Sequence, residues 1–179
     1  MITPAAQPPA EGGGNVPGQA SVRWTDDYCT AVGGLVQALT TMPTVDPTTP
    51  QRASRTSGEL LGTMVSGLDG AARDLARLGP SPVPGGDKVR EDAVARFTGI
   101  RDRAEDAKKR LERASDDPEE SKQALGRVSA SVDELAKLNL LEGFDAVPGL
   151  ANASTQAAAC RPLFKQTLSP GASPESVPR

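Results

Sequence analysis

The sequence predicts an all-α fold, an up-down bundle of four long helices followed by a short fifth. Three observations predict it. Apolar residues recur at spacings of three and four in five separate segments, no segment alternates with the period of two that marks a strand, and aromatic residues make up only 3% of the 179. A core so poor in aromatics must be built from Leu, Val and Ala. Helices close-pack on such small side chains, whereas strands favour β-branched and aromatic residues.

The first segment, 22–42, places Trp24, Tyr28, Val32 (or Ala31), Leu35 and Leu39 on one face. Ser21 or Thr25 stands where a cap is needed, and Asp26 and Asp27 suit the positive end of the helix dipole. Pro43, Pro47 and Pro50 then stop the helix. The second segment, 51–78, carries a broad apolar stripe of Leu60, Leu61, Met64, Val65, Leu68, Ala71, Ala72, Leu75 and Leu78, and "GPSPVPGG" at 79–86 breaks it.

The third segment is expected to be capped by Asp87 and to bury Val89, Ala93, Phe97 (or Arg96), Ile100, Ala104, Ala107 and Leu111 at near-heptad spacing. Its outer face is balanced in sign, with Glu105–Lys109 and Asp106–Arg110 in the favourable acid-then-base order, each pair adding about 0.2–0.5 kcal/mol on an isolated helix. In "SDDPEES", Asp117 reads as an N-cap, Pro118 as the first helical residue and Glu120 as the far side of a capping box. Leu125, Val128, Val132, Leu135 and Leu138 (or Asn139) form the fourth stripe. After a turn region, "EGFDAVPG", the fifth segment at 148–164 aligns Leu150, Ala153, Ala157, Cys160 and Phe164, with Pro162 fraying its end. The short connections suit antiparallel neighbours.

Residues 1–20 and 169–179 are rich in Pro, Gly, Ser and Ala and carry almost no large apolar side chains. Such segments cannot bury enough surface to offset ordering entropy, so the expected organisation is a tether at 1–20, a bundle domain at 21–168 and a tail at 169–179.

Composition narrows function more by exclusion than by pointing. Twenty basic and twenty-three acidic residues leave a net charge of −3, which attracts neither a nucleic acid nor an anionic membrane. The chain has no histidine, which removes the commonest general acid/base, the commonest transition-metal ligand and the Glu-x-x-His motif of carboxylate di-metal bundles. No metal or cofactor is therefore expected. The basic run Lys108-Lys109-Arg110 with Arg113 is interleaved with Asp102, Glu105, Asp106 and Glu112 and reads as a solvated helix face. Asp26-Asp27 beside Trp24 and Tyr28 is the one local cluster resembling an acid/base site. Its plainer reading is a pair of dipole-favoured acids over two core aromatics, and no catalytic residue is assigned.

Two cysteines far apart in sequence cannot form a CxxC metal or redox motif. Cys29 and Cys160 fit one structural disulfide, which would clamp the two ends of the bundle; the alternative is two buried free thiols. Five strictly alternating helices set the first and last parallel, so a bridge requires the fifth segment to be staggered or one connection to cross over. Gly33-Gly34, costly inside a helix at about 0.8–1 kcal/mol each against alanine, calls for either close approach of the Ala157-Ala158-Ala159 segment or a kink.

The Pro/Gly-rich leader, "WTDDYCTAVGGLV", the Ala/Arg/Asp-rich helices and the late "AAACRPLF" together resemble small exported proteins and lipoproteins of actinobacteria. That resemblance implies an extracytoplasmic location, secreted or anchored at the cell surface after signal removal, with any acylated cysteine upstream of Met1. No apolar run approaches the ~18–20 residues that span a bilayer. The functional expectation is a non-enzymatic protein acting by protein interaction or as a structural component. The stripe Leu60, Leu61, Met64, Val65 and Leu68 offers a partner surface if it is not core. The alternative is a carrier or sensor holding a small apolar ligand between helices. Neither partner, ligand nor oligomeric state is encoded legibly.

Overall fold

Proline opens four of the five helices, in the computed structural model, which describes residues 17–114 and 117–165. At a first helical position proline loses no intrahelical hydrogen bond, and its fixed φ already suits the helix. The helices are α1 (Pro17–Thr40), α2 (Pro50–Arg77), α3 (Gly86–Arg113), α4 (Pro118–Ala136) and α5 (Pro148–Gln156), with two single 3₁₀ turns at Ala158–Cys160 and Leu163–Lys165. No strand occurs among the described residues. The fold is all-α, as the spacing predicts.

The helix starts differ instructively from expectation. Pro17 begins α1 inside the segment expected to be tether, so Ser21 and Thr25 lie within the helix and not at its N-cap position, and Asp26 and Asp27 stand beyond its first turn. Pro50 begins α2 instead of ending the preceding loop, with Thr49 accepting the Arg52 N–H at 3.2 Å as its cap. The cap of α3 is Gly85, in left-handed conformation at φ 88°, not Asp87. Asp87 instead accepts the Ser81 N–H at 3.0 Å and so ties the α2–α3 turn to the helix it precedes. Asp117 caps α4 as expected, accepting the N–H groups of Glu119 and Glu120. The expected tail at 169–179 and most of the expected tether lie outside the described residues.

Contacts between helices run antiparallel along the chain. On α1 and α2, Trp24 meets Gly79 while Ala38 and Leu35 meet Gly67. On α2 and α3, Arg90 reaches Leu78 while Arg101 reaches Asp69. On α3 and α4, Arg103 reaches Glu134 while Ala114 accepts the Ser121 hydroxyl. The helices thus form a bundle in which α2 and α3 are the central hairpin, α1 flanks α2 and α4 flanks α3.

The buried seams follow the predicted stripes closely on α1, α2 and α3. On α4 the seam is Ala124, Val128, Ser131 and Leu135, and Leu125 and Val132 sit half-buried at its edges. Between α4 and α5 the chain crosses the start of α3. Leu138, Leu140 and Phe144 are buried, Gly143 at φ 91° presses on Val89, and Gly149 leaves no room for a Cβ against Val83. This crossing delivers α5 to α1. Burying apolar area at about 25 cal/mol per Å² is what makes such a glycine-lined passage favourable.

Candidate functional site

The rare residues of the chain converge at the end of the bundle where the α2–α3 turn lies. Trp24 faces the turn because its ring fills the seam while its Nε1–H donates to the Gly79 carbonyl at 2.9 Å, the partner that a buried indole needs. Arg90 from α3 donates to the same carbonyl and to that of Leu78, at 3.1 and 2.7 Å, so the C-terminal end of α2 is closed by side chains of α1 and α3. Tyr28, one turn after Trp24, is fully buried, with its ring centroid 5.8 Å from that of Trp24 and 4.9 Å from that of Phe144.

Cys29 and Cys160 meet. Their Cα atoms are 5.0 Å apart, they form a disulfide, and neither residue has any exposed surface. The free-thiol alternative is removed, and so is the parallel-helix difficulty. The fifth helix ends at Gln156 instead of running to 164, and the 3₁₀ turn Ala158–Cys160 brings Cys160 back to α1. Helix direction therefore does not decide whether the cysteines meet. Phe164, expected on the buried face of a longer helix, is 58% exposed for the same reason, and Pro162 lies beyond the helix instead of at its frayed end.

Asp26 has a role that neither sequence reading assigned to it. Its Oδ1 accepts the backbone N–H of Ala159 at 2.8 Å, across 133 residues of chain, and holds the 3₁₀ turn against α1. Asp27 beside it is exposed. The pair does not assemble a site with Tyr28, whose hydroxyl finds no hydrogen-bond partner among the described residues, nor with the buried Thr25 hydroxyl, which is also unpartnered. Burial, the largest influence, pushes the Tyr28 phenol above its ordinary value; Arg96 pulls it down and Glu142 pushes it up, the two forming a 2.9 Å ion pair nearby. A phenol so placed neither accepts nor gives a proton near neutral pH.

The close approach expected at Gly33-Gly34 does not occur there. A Cβ added at Gly33 or Gly34 would meet nothing within 4 Å, so no helix closes in there. The close approach occurs at Gly67 on α2, where an added Cβ would lie 3.0 Å from the Ala38 Cβ and 3.1 Å from Leu35 Cδ1. Gly34 instead lines an open groove of about 720 Å³ between α1 and α2, floored by Ala38, Gly62, Ser66 and Gly70.

The stripe offered as a partner surface is core. Leu60, Leu61, Met64 and Leu68 are buried and Val65 is half-buried against them. Lys108, Lys109 and Arg110 are paired as the interleaving predicts, while Arg113 donates to the Lys109 carbonyl. Lys109 meets Glu105 at 2.9 Å, Arg110 meets Asp106 at 2.7 Å and Lys108 meets Glu112 at 3.9 Å. The Arg110 hydrogen bond, which outweighs the opposing desolvation, holds the Asp106 carboxyl below its ordinary value. Sequence spacing missed Arg127, which α4 brings beside Arg110 and Arg113 around a shallow groove of about 330 Å³ that Glu120 also lines. Only a contact across two helices reveals it.

Among the described residues no group of three or more His, Cys, Asp or Glu side chains is arranged to hold a metal ion, and no helix is long and apolar enough to cross a membrane. The arrangement as a whole is a junction of α1 with the 3₁₀ turn Ala158–Cys160, fastened by a disulfide and a hydrogen bond, with the α2–α3 turn held to α1 at Trp24. No protein-family model, curated protein or solved structure matches the chain.

Proposed function

We propose that the chain is a non-enzymatic extracytoplasmic helical-bundle protein, secreted or surface-tethered, that acts through protein interaction or as a structural component. The Cys29–Cys160 disulfide carries this reading, because such bonds persist in oxidising compartments and reducing cytosols keep thiols free. The polar groups point the same way. Asp26 serves the backbone of Ala159 and Trp24 serves the Gly79 carbonyl, so two members of the one cluster resembling an acid/base site are occupied in holding the fold.

The carrier alternative draws less support. The positions between helices are filled by Tyr28, Leu35, Leu61, Met64, Leu68, Phe97 and Leu150, all without exposed surface, and the grooves of about 330–720 Å³ are open to solvent and lined by exposed as well as buried residues.

The test is made in the organism that produces the chain. Cells are acid-quenched, treated with a thiol-alkylating reagent without prior reduction, and fractionated. Both cysteines are expected to escape alkylation, and the protein to be recovered from the surface or secreted fraction. A cytosolic chain carrying two alkylated thiols overturns the proposal.

A further inference from the structure

Two fasteners of different kinds hold the 3₁₀ turn Ala158–Cys160 to α1, and they lie within one turn of each other. The first is the disulfide. The second is the Asp26 carboxylate on the Ala159 N–H at 2.8 Å, three residues before Cys29 on one strand of the junction and one residue before Cys160 on the other.

Among the described residues, the segment past Gln156 rests on α1 by a short stretch of small side chains. It contains two single 3₁₀ turns, whose hydrogen bonds are poorer than those of an α-helix. Its buried residues are Ala157 and Cys160, with Ala159 and Leu163 half-buried and Phe164 exposed. The helix before it is fastened independently. Leu150 is fully buried, Ala153 and Ser154 are buried, and Gly149 is pressed against Val83. A natural boundary for local opening therefore falls near Ala157.

Thiol–disulfide exchange requires a thiolate to approach one sulfur directly, and neither Cys29 nor Cys160 exposes any surface. Cys160 Sγ lies 3.6 Å from the Thr25 carbonyl oxygen, so α1 backbone packs against the bridge, and the Asp26–Ala159 hydrogen bond holds the 3₁₀ turn beside it.

We propose that Asp26 is the non-covalent catch of a redox latch. While its carboxylate holds Ala159 the backbone stays packed beside the buried bridge, a dithiol reductant reaches a sulfur only when residues 157–159 loosen around it, and the segment from Ala157 onward lifts from α1 once the bridge is cut. One thiolate of the reductant attacks a protein sulfur, forming a mixed disulfide as the Cys29–Cys160 bond breaks and one cysteine leaves as thiolate. The second thiol of the reductant attacks the mixed disulfide and frees the other cysteine. The protein gains two electrons, and the protons given up by the dithiol reprotonate the two cysteines as it closes to its own disulfide. The reduced chain keeps the bundle through α5 and exposes Thr25 and Cys29 on α1.

The test follows the reduction of the folded protein by dithiothreitol under native conditions, with alkylation and mass as the readout. Asp26→Ala is expected to speed reduction about tenfold or more, on the scale of a hydrogen bond to a charged group. Asp26→Asn keeps an acceptor oxygen at the same place and is expected to fall between Asp26→Ala and the wild type. Asp27→Ala, at the exposed neighbour, is expected to match the wild type. Hydrogen exchange of the reduced wild type is expected to open 157–164 while the amides of α2 and α3 stay protected. Equal reduction rates for Asp26→Ala, Asp26→Asn and the wild type overturn the proposal. So does a reduced wild type that loses protection throughout α2 and α3, since the bridge would then be a keystone of the bundle and not a latch.

Discussion

Phe144 meets Tyr28 at a ring-centroid separation of 4.9 Å and helps enclose a phenol whose hydroxyl has no hydrogen-bond partner among the described residues. A buried, unsatisfied hydroxyl costs about 1–3 kcal/mol of desolvation, and phenylalanine keeps the ring without that cost. Tyr28→Phe is therefore expected to leave the fold unchanged and to raise stability by up to about 1 kcal/mol, measured by urea or thermal unfolding. The pH dependence has a definite sign. Burial raises the folded-state pKa of Tyr28, so its neutral form persists in the folded chain while the unfolded chain ionises near pH ~10. The contribution to stability is full below that pH and is lost as pH rises toward the folded value. Tyr28 is the only tyrosine, so phenolate absorbance reports this directly and should appear together with unfolding.

Gly67 and Gly34 make opposite predictions on facing helices. A Cβ at Gly67 would lie 3.0 Å from that of Ala38, which is fixed to the α1 backbone and cannot rotate away. Gly67→Ala is expected to push α1 from α2 and to cost about 1–3 kcal/mol. Gly34→Ala meets nothing within 4 Å and is expected to stabilise by roughly 0.8–1 kcal/mol through helix propensity alone. Chemical denaturation of both variants settles the pair, and a shared sign for the two would remove the distinction.

Asp117 is the clearest local signal in the chain, accepting the Glu119 and Glu120 N–H groups at 2.8 and 3.2 Å. Asp117→Ala is expected to cost about 1 kcal/mol, and Asp117→Asn clearly less, because asparagine caps nearly as well. Fraying should show as faster amide exchange in the first turn of α4.

Leu150 anchors α5 with no exposed surface, near Gly86 at the start of α3. Leu150→Ala is expected to cost about 2–5 kcal/mol, the range for a buried leucine whose cavity does not fully collapse. The loss should be measured with the disulfide intact, so that it reports packing and not chain closure.

Much of this architecture was legible in the sequence, and the misses share a cause. The stripes of α1, α2 and α3, the Asp117 cap and the α3 ion pairs depend on neighbours three or four residues apart, which periodicity and capping rules can reach. Phe144 was not legible, because a turn region carries no period to show which residue faces inward. The α4 seam shifted onto Ala124 and Ser131 because α4 packs mainly on α3 and must present small residues there, leaving Leu125 and Val132 at the edges. Phe164 failed for the opposite reason, since its helical register does not exist beyond Gln156.

By itself the sequence determined the all-α class, the number of helices and most of the buried faces, because these follow from backbone geometry repeated every 3.6 residues. It also confined the covalent possibilities to one bridge, because the chain has only two cysteines. Tertiary structure alone decided that the bridge forms, that Asp26 holds Ala159 across 133 residues and that α1 and α2 close together at Gly67 and not at Gly33-Gly34. The first two depend on where the chain returns after α4 and the third on how α1 seats on α2, and both are set by packing between segments far apart in sequence.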